Sequence, residues 1–316
     1  ISVLERMDNP LAESNPLTIE VKAALADYIQ RDKAGNMKIP KIYSGSAGLG
    51  SRDVRPDDII AVVENMIKDK KKYFAIGIDH ELGLPVKEST DIRPEGTFSM
   101  RGHSVGGYGS VTTNKVIATI VADLFDMYVQ AYPKYGSEKK GLPTTYYLTA
   151  SPSHVKTHNE LEFVEFVPLN DVNAFNLANP LNGLQPSGML FVQTQKTNHS
   201  DIWSAIPQWA QKIILNKKIK ILALDTVKIA KDISSQPDLI QRMQGIVLLG
   251  IFLKATPFLD RSGISDDELM ISVEKSLRKY FGKRGEQVVK DNLNCVKRGF
   301  KEVFEVTQFQ TEEVLS

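Results

Sequence analysis

Apolar positions along the chain fall into two alternating rhythms. Leu17, Val21, Leu25 and Ile29 recur at helical spacing, and so do Ile59, Ile60, Val63, Met66 and Ile67. The second of these helices is expected to start at Asp53 or at Arg55-Pro56, because proline suits a first helical turn. Short apolar and β-branched runs predict strands at Ile1–Leu4, Lys41–Tyr43, Phe74–Ile78, Thr97–Met100, Asp126–Ala131, Thr145–Leu148, Leu161–Val167, Met189–Thr194 and Ile219–Leu224. Helical patterns then dominate, over Ile240–Leu253, Asp266–Phe281 and Glu286–Phe304. Strand and helix in alternation imply an α/β fold, a mainly parallel sheet with helices on both faces. No internal repeat interrupts the pattern, and the tail after Val306 is expected to be loosely held.

One stretch breaks the rhythm. After the strand at Thr97–Met100 comes a loop expected to hold Gly102, Gly106, Gly107 and Gly109, and then a helix with Val111, Ala118 and Ala122 among its apolar positions. Ser110, Thr112 or Thr113 would cap that helix. Strand, glycine loop and helix point unpaired backbone N–H groups at an anion, and Lys115 on the first turn would reach a phosphate. The loop is neither of the two best-known nucleotide motifs. Gly107 is followed by Tyr108 and Gly109 rather than by Lys-Ser/Thr, and Thr112 stands where a dinucleotide fingerprint has its third glycine. The pattern suits a phosphate cradle, and it equally suits a tight strand-to-helix turn without a ligand.

Bulk composition narrows the classes. With 316 residues, 42% of them apolar, the chain is long enough for two ordinary domains and a sizeable core. Its net charge of +1, from 39 basic and 38 acidic residues, argues against nucleic acid or an anionic membrane as the main partner. No apolar run approaches the ~20 residues of a membrane span; the best, Ile246–Leu253, is interrupted by Gly250. A single cysteine, Cys295, leaves no internal disulfide and no cysteine-ligated cluster held by this chain alone, and the expected compartment is the cytoplasm.

Other chemistry is thinner. His154 and His158, with Glu160 and Glu162 nearby, have a zinc-like spacing, but Ser151-Pro152 argues against the helix that would bring them together. His103 lies in the expected glycine loop and is the histidine best placed for anion contact, although a lone loop histidine is more often a surface hydrogen-bonding group. No Gly-Asp-Gly thiamine motif is present, and Cys295 in a helix reads as buried rather than nucleophilic.

The run Gly106–Lys115 (Gly-Gly-Tyr-Gly-Ser-Val-Thr-Thr-Asn-Lys) resembles the Gly-Gly-Gln-Gly-x-Val-Thr-x-x-Lys run of the gamma domain of the 2-oxoacid:ferredoxin oxidoreductases. Asn114-Lys115 also matches the end of the corresponding loop in the fused pyruvate enzymes of that family, while Tyr108 stands where relatives have Gln or Asp. Ser137–Gly141 resembles the family's basic turn, with Gly136 replacing an Asp, and Asp225–Ala230 resembles its Asp-Ala-Val-Lys-Ile-Ala. Gly282-Lys283-Arg284-Gly285 is similar to a further turn. Before the loop, Val3–Arg6, Gly48–Gly50 and Arg55-Pro56 look like the end of the family's second, transketolase C-terminal-like domain. The resemblance therefore implies residues 1–72 as the end of that domain, 73–305 as the gamma domain and 306–316 as a tail. It also implies a component of an enzyme that oxidatively decarboxylates a 2-oxoacid, most readily pyruvate. Thiamine diphosphate and [4Fe-4S] clusters would sit on partner chains, and coenzyme A and ferredoxin would be second substrates. Coenzyme A phosphates would meet Gly106, Gly107, Tyr108, Gly109, Asn114 and Lys115, with Lys139 and Lys140. The Tyr108 and Gly136 departures suit an alternative, a module of the same fold that only joins subunits.

Overall fold

In the computed structural model, which describes residues 1–9, 11–32, 35–36, 38–86, 89–105, 110–134, 143–170, 173–234 and 237–307, the two rhythms resolve into two sheets. The contacts group into two units, Ile1–Ile92 with His158–Glu160, and Arg93–Thr157 with Leu161–Ser316.

The first unit holds β1 (Ser2–Glu5), α1 (Pro16–Arg31), β2 (Tyr43–Ser46), α2 (Pro56–Lys68) and β3 (Tyr73–Ala75), its strands parallel in the order β1-β2-β3. The second strand falls later than the expected Lys41–Tyr43, on a Tyr-Ser-Gly-Ser stretch that reads as a turn. Gly45 permits it: a Cβ there would come within 2.6 Å of the Leu4 and Phe74 side chains, so the neighbours fill that space instead. Its serines are satisfied by Asn15, whose N–H donates to Ser44 Oγ (3.2 Å) and whose Nδ2 donates to Ser46 Oγ (3.1 Å). β3, expected to open the second domain, pairs with β2, so residues 73–92 group with the first unit.

α2 begins at Pro56 as expected but faces the other way. Val62 is buried, whereas Ile59, Ile60, Val63 and Ile67 are exposed. The inward side is fixed by polar ties. Asp58 accepts the Arg55 N–H (2.9 Å), and Asn65 both accepts the Lys71 N–H (2.9 Å) and donates to the Lys71 carbonyl (2.8 Å).

The second unit is built from β4 (Phe98–Val105), α3 (Ser110–Phe125), β5 (Tyr128–Lys134), β6 (Pro143–Ser151), β7 (Val164–Leu169), α4 (Ala174–Leu177), β8 (Leu184–Gln193), α5 (His199–Ser204), α6 (Gln208–Lys217), β9 (Lys220–Leu224), α7 (Thr226–Ile233), α8 (Ile240–Ala255), α9 (Phe258–Ser262), α10 (Asp266–Phe281), α11 (Glu286–Glu302) and β10 (Phe304–Glu305). Its sheet runs β10-β9-β8-β7-β4-β6-β5, with β9, β8, β7 and β4 parallel at the centre and antiparallel strands at both margins. Side chains alternate across it. Phe166 and Phe191 pack into a core with α3, α7, α8, α10 and α11, while Val167, Leu169, Leu190 and Val192 pack into a core with α4, α5 and α6. Helices therefore cover both faces. Arg93 Nη2 pairs with Glu165 Oε1 (2.7 Å), whose other oxygen accepts the Ser99 N–H (2.7 Å), tying the start of β4 to β7.

α8 is apolar nearly all round and is the centre of its layer, buried from Gly245 through Leu253. Gly250, an interruption in the sequence pattern, is where α11 crosses it: a Cβ at Gly250 would lie 2.1 Å from the Val296 carbonyl oxygen, and one at Gly299 2.2 Å from that of Val247. Glycine on each helix sets the close crossing. Among the described residues no helix is long and apolar enough to cross a membrane.

Candidate functional site

β4 extends five residues beyond the expected Met100 end, so Gly102 and His103 are strand residues rather than loop residues. Gly102 serves packing. It pairs with Tyr146, and a Cβ on Gly102 would fall 1.9 Å from the Tyr146 ring, so only glycine lets the buried tyrosine lie across the strand. Burial holds the Tyr146 phenol well above its ordinary range, and the Asn170 side chain beside it acts in the opposite direction.

His103 points to the other face, in register with Thr145 on β6 and Leu169 on β7. Its ring is largely enclosed, and burial first and the Arg101 charge second push its pKa down to about 4. Nε2 is buried without a partner. A neutral imidazole of this kind brings no positive charge to a phosphate. Its backbone carbonyl accepts the Asn170 N–H (2.9 Å). Arg101, one pleat away, donates to the carbonyls of Pro180 (3.0 Å) and Asn182.

Beyond β4 the chain re-enters at α3. Gly106, Gly107, Tyr108 and Gly109, with Lys139 and Lys140, lie outside the described residues; Asn114 and Lys115 lie within them. Asn114 is buried, and its Nδ2 donates to the Tyr147 carbonyl (2.8 Å), which fastens the first turns of α3 to β6. Lys115, the next residue, is exposed. Successive helical residues point about 100° apart, so the two side chains diverge, one into the sheet and one toward solvent.

Polar atoms collect at this end of the sheet. Asn114 Oδ1, Thr113 Oγ1 and Thr144 Oγ1 are all buried without a hydrogen-bond partner. Each such group costs about 1–3 kcal/mol relative to a satisfied one. Asn170, Thr144 and Tyr146 were not singled out by the sequence, because polar residues inside apolar strands carry no signature of their own. The carboxyl ends of parallel strands are where α/β sheets place ligands. At the ends of β8 and β9, Gln193 Nε2 donates to Asp225 Oδ1 (3.1 Å), and Asp225 accepts the Lys228 N–H (3.0 Å) as the cap of α7. These contacts are internal ties.

Metal chemistry finds no support among the described residues. No group of three or more His, Cys, Asp or Glu side chains is close enough to hold an ion. Residues 154–158 form no helix, and His154 packs on the Tyr128 ring, 5.9 Å between centroids. Cys295 is fully buried and burial pushes its thiol up to about 12, so it does not suit an iron–sulfur cluster.

Residues 99–302 match the family model described as pyruvate ferredoxin/flavodoxin oxidoreductase. The pyruvate:ferredoxin oxidoreductase of Moorella thermoacetica is 27% identical over 310 residues, covering 97% of this chain and 25% of the relative. A probable pyruvate-flavodoxin oxidoreductase of Escherichia coli is 25% identical over 313 residues, again covering 97% of this chain and 25% of the relative. The chain thus spans about a quarter of the length of these curated relatives. A pyruvate oxidoreductase subunit of known structure from Thermotoga maritima superposes with a TM-score of 0.50 at 21% identity, covering 66% of this chain and 98% of that subunit, which is a likeness of fold.

Proposed function

The chain belongs to the pyruvate ferredoxin/flavodoxin oxidoreductase family, and from that premise we propose that it is the gamma-type part of an enzyme oxidatively decarboxylating a 2-oxoacid, pyruvate foremost. Ferredoxin or flavodoxin takes the electrons and coenzyme A takes the acyl group. Thiamine diphosphate and the iron–sulfur clusters belong to partner chains or domains in this reading, in a cytoplasmic complex. The supporting observation is the family match over 99–302, which runs through the glycine loop and the start of α3.

The role of this part in the reaction is to hold coenzyme A and to join the assembly. Coenzyme A phosphates lie against Gly106, Gly107, Tyr108 and Gly109 and the first turn of α3, with Lys115, Lys139 and Lys140 supplying charge. Asn114 acts there through its bond to Tyr147, as a residue that positions the helix. Residues 1–72 are, in the same reading, the end of a transketolase C-terminal-like domain. Most of the large exposed apolar side chains lie in residues 1–92, including the outer stripe of α2, and another domain or chain of the same enzyme covers them.

The test is coenzyme A binding by the chain co-expressed with its cysteine-rich partners. A charge-assisted bond contributes about 1.5–3 kcal/mol. Lys115 is exposed, so the lower end applies, and Lys115→Ala should weaken coenzyme A about tenfold at ~1.4 kcal/mol. Unchanged affinity in that variant and in Tyr108→Asp would leave the loop as a turn and favour a purely subunit-joining module.

A further inference from the structure

Three long helices of the second unit start around one cavity. Thr112 and Thr113 are on the first turn of α3, Leu239 and Arg242 on the start of α8, and Val288 on the first turn of α11, and all line the same partly open space. A helix start carries the positive end of a peptide dipole, and here three lie around one space. Among the described residues no Asp or Glu lines the cavity. Neither α3 nor α8 has an acidic residue in its first turn, and Glu286 of α11 is held by Arg278.

Side chains point the same way. Thr113 is 1% exposed and its hydroxyl is buried without a hydrogen-bond partner, although it lines the cavity. Arg242 and Arg284 stand at the rim, both exposed, and among the described residues neither guanidinium has an ion pair or hydrogen bond. The deeper wall is apolar, from Met243, Ile246, Phe281 and Val288. A free anion alone would leave that wall wet, and a plain hydrocarbon would leave the hydroxyl and the two cations unused.

We propose that this cavity is a binding site for a small amphiphilic anion, a phosphate or carboxylate carried on a short apolar body. The head lies between Arg242, Arg284 and the Thr113 hydroxyl, facing the three helix starts, and the body lies against Met243, Ile246 and Phe281. Planar guanidinium forks suit either oxyanion, so the shared chemistry is fixed and the head group is for experiment. The site goes beyond the coenzyme A reading, because Lys115 is not among its lining residues.

Calorimetric titration of the full chain with hexyl phosphate, hexanoate, hexanol and inorganic phosphate tests it. One or both hexyl anions should bind, with hexanol and inorganic phosphate each at least about tenfold weaker, ~1.4 kcal/mol per decade. Arg242→Ala and Arg284→Ala, both at exposed positions, should each weaken the hexyl anion about tenfold while leaving the melting temperature unchanged. Thr113→Val keeps the shape and removes only the hydroxyl; it should weaken binding about three- to tenfold without loss of stability. Lys115→Ala should leave hexyl-anion binding unchanged, which separates this site from the coenzyme A loop. The proposal is overturned if no probe binds at millimolar concentration, if hexanol binds as tightly as the anions, or if both arginine variants bind like the wild type.

Discussion

Acid should weaken the second unit through His103, and the size of the effect follows from its surroundings. The imidazole titrates near 4 in the folded chain against 6.5 when free, because burial and the Arg101 charge disfavour the cation. The unfolded chain therefore binds the proton more tightly. Above pH 6.5 both states are neutral and His103 contributes no pH dependence. As pH falls from 6.5 toward 4 the unfolded state gains the proton first, and stability is lost across that window. Linkage gives a loss of about 2 kcal/mol at pH 5 and about 3 kcal/mol at pH 4. Urea denaturation at pH 7.5 and pH 5, run on the wild type and on His103→Gln, isolates the contribution, since carboxylates titrate alike in both. The variant should lose about 2 kcal/mol less than the wild type over that interval. Proton NMR gives a second reading, an imidazole signal that does not shift until well below pH 6. Equal losses in the two proteins, or a midpoint near 6.5, would refute the buried, neutral histidine.

Two further outcomes test packing and assembly. Gly250→Ala should lower the melting temperature, because its Cβ would meet the backbone of α11 at 2.1 Å, atoms that cannot rotate aside. The overpacking cost, near the upper end of ~1–3 kcal/mol, exceeds the gain of ~1 kcal/mol in helix propensity, leaving a net loss of about 2 kcal/mol; a variant as stable as the wild type would mean the helices do not cross this closely. Ile60→Asp on the outer stripe of α2 should leave the stability of the chain within about 0.5 kcal/mol while reducing co-purification with partner subunits, and unimpaired assembly would remove that face from the interface.

How far the fold could be read from sequence depended on whether a residue's role was local. α10 falls on the expected Asp266–Phe281 because Ser265 and Glu268 cap it reciprocally, a local device. The period of α2 was equally legible, but its orientation was not. The buried side holds Asp57, Asp58 and Asn65, each occupied by a backbone partner from Thr90, Arg55 or Lys71 that no helical wheel contains. β4 was cut short at Met100 because Arg101, Gly102 and His103 look like the start of a loop. Arg101 instead finds carbonyls 79 and 81 residues away, and Gly102 makes room for a ring on β6. Both reasons are long-range. The glycine-rich run at 106–109 lies outside the described residues, so Asn114 and Lys115 carry the structural account of that stretch.

One helical turn then has to serve several tasks, and the geometry of a helix explains how it can. Thr112, Thr113, Asn114 and Lys115 are consecutive, so their side chains leave the axis about 100° apart. Thr112 and Thr113 line the cavity at the helix starts, Asn114 grips the Tyr147 carbonyl of β6, and Lys115 reaches solvent. Each direction has its own readout: anion affinity for Thr113, stability for Asn114 and coenzyme A affinity for Lys115. The buried, unpartnered hydroxyl of Thr113 costs about 1–3 kcal/mol, and a turn that served only as a helix start would gain by replacing it with an apolar group, whereas Asn114 is kept by its bond to Tyr147. The presence of that hydroxyl beside Asn114 and Lys115 is the physical reason to look for ligand chemistry here rather than for packing alone.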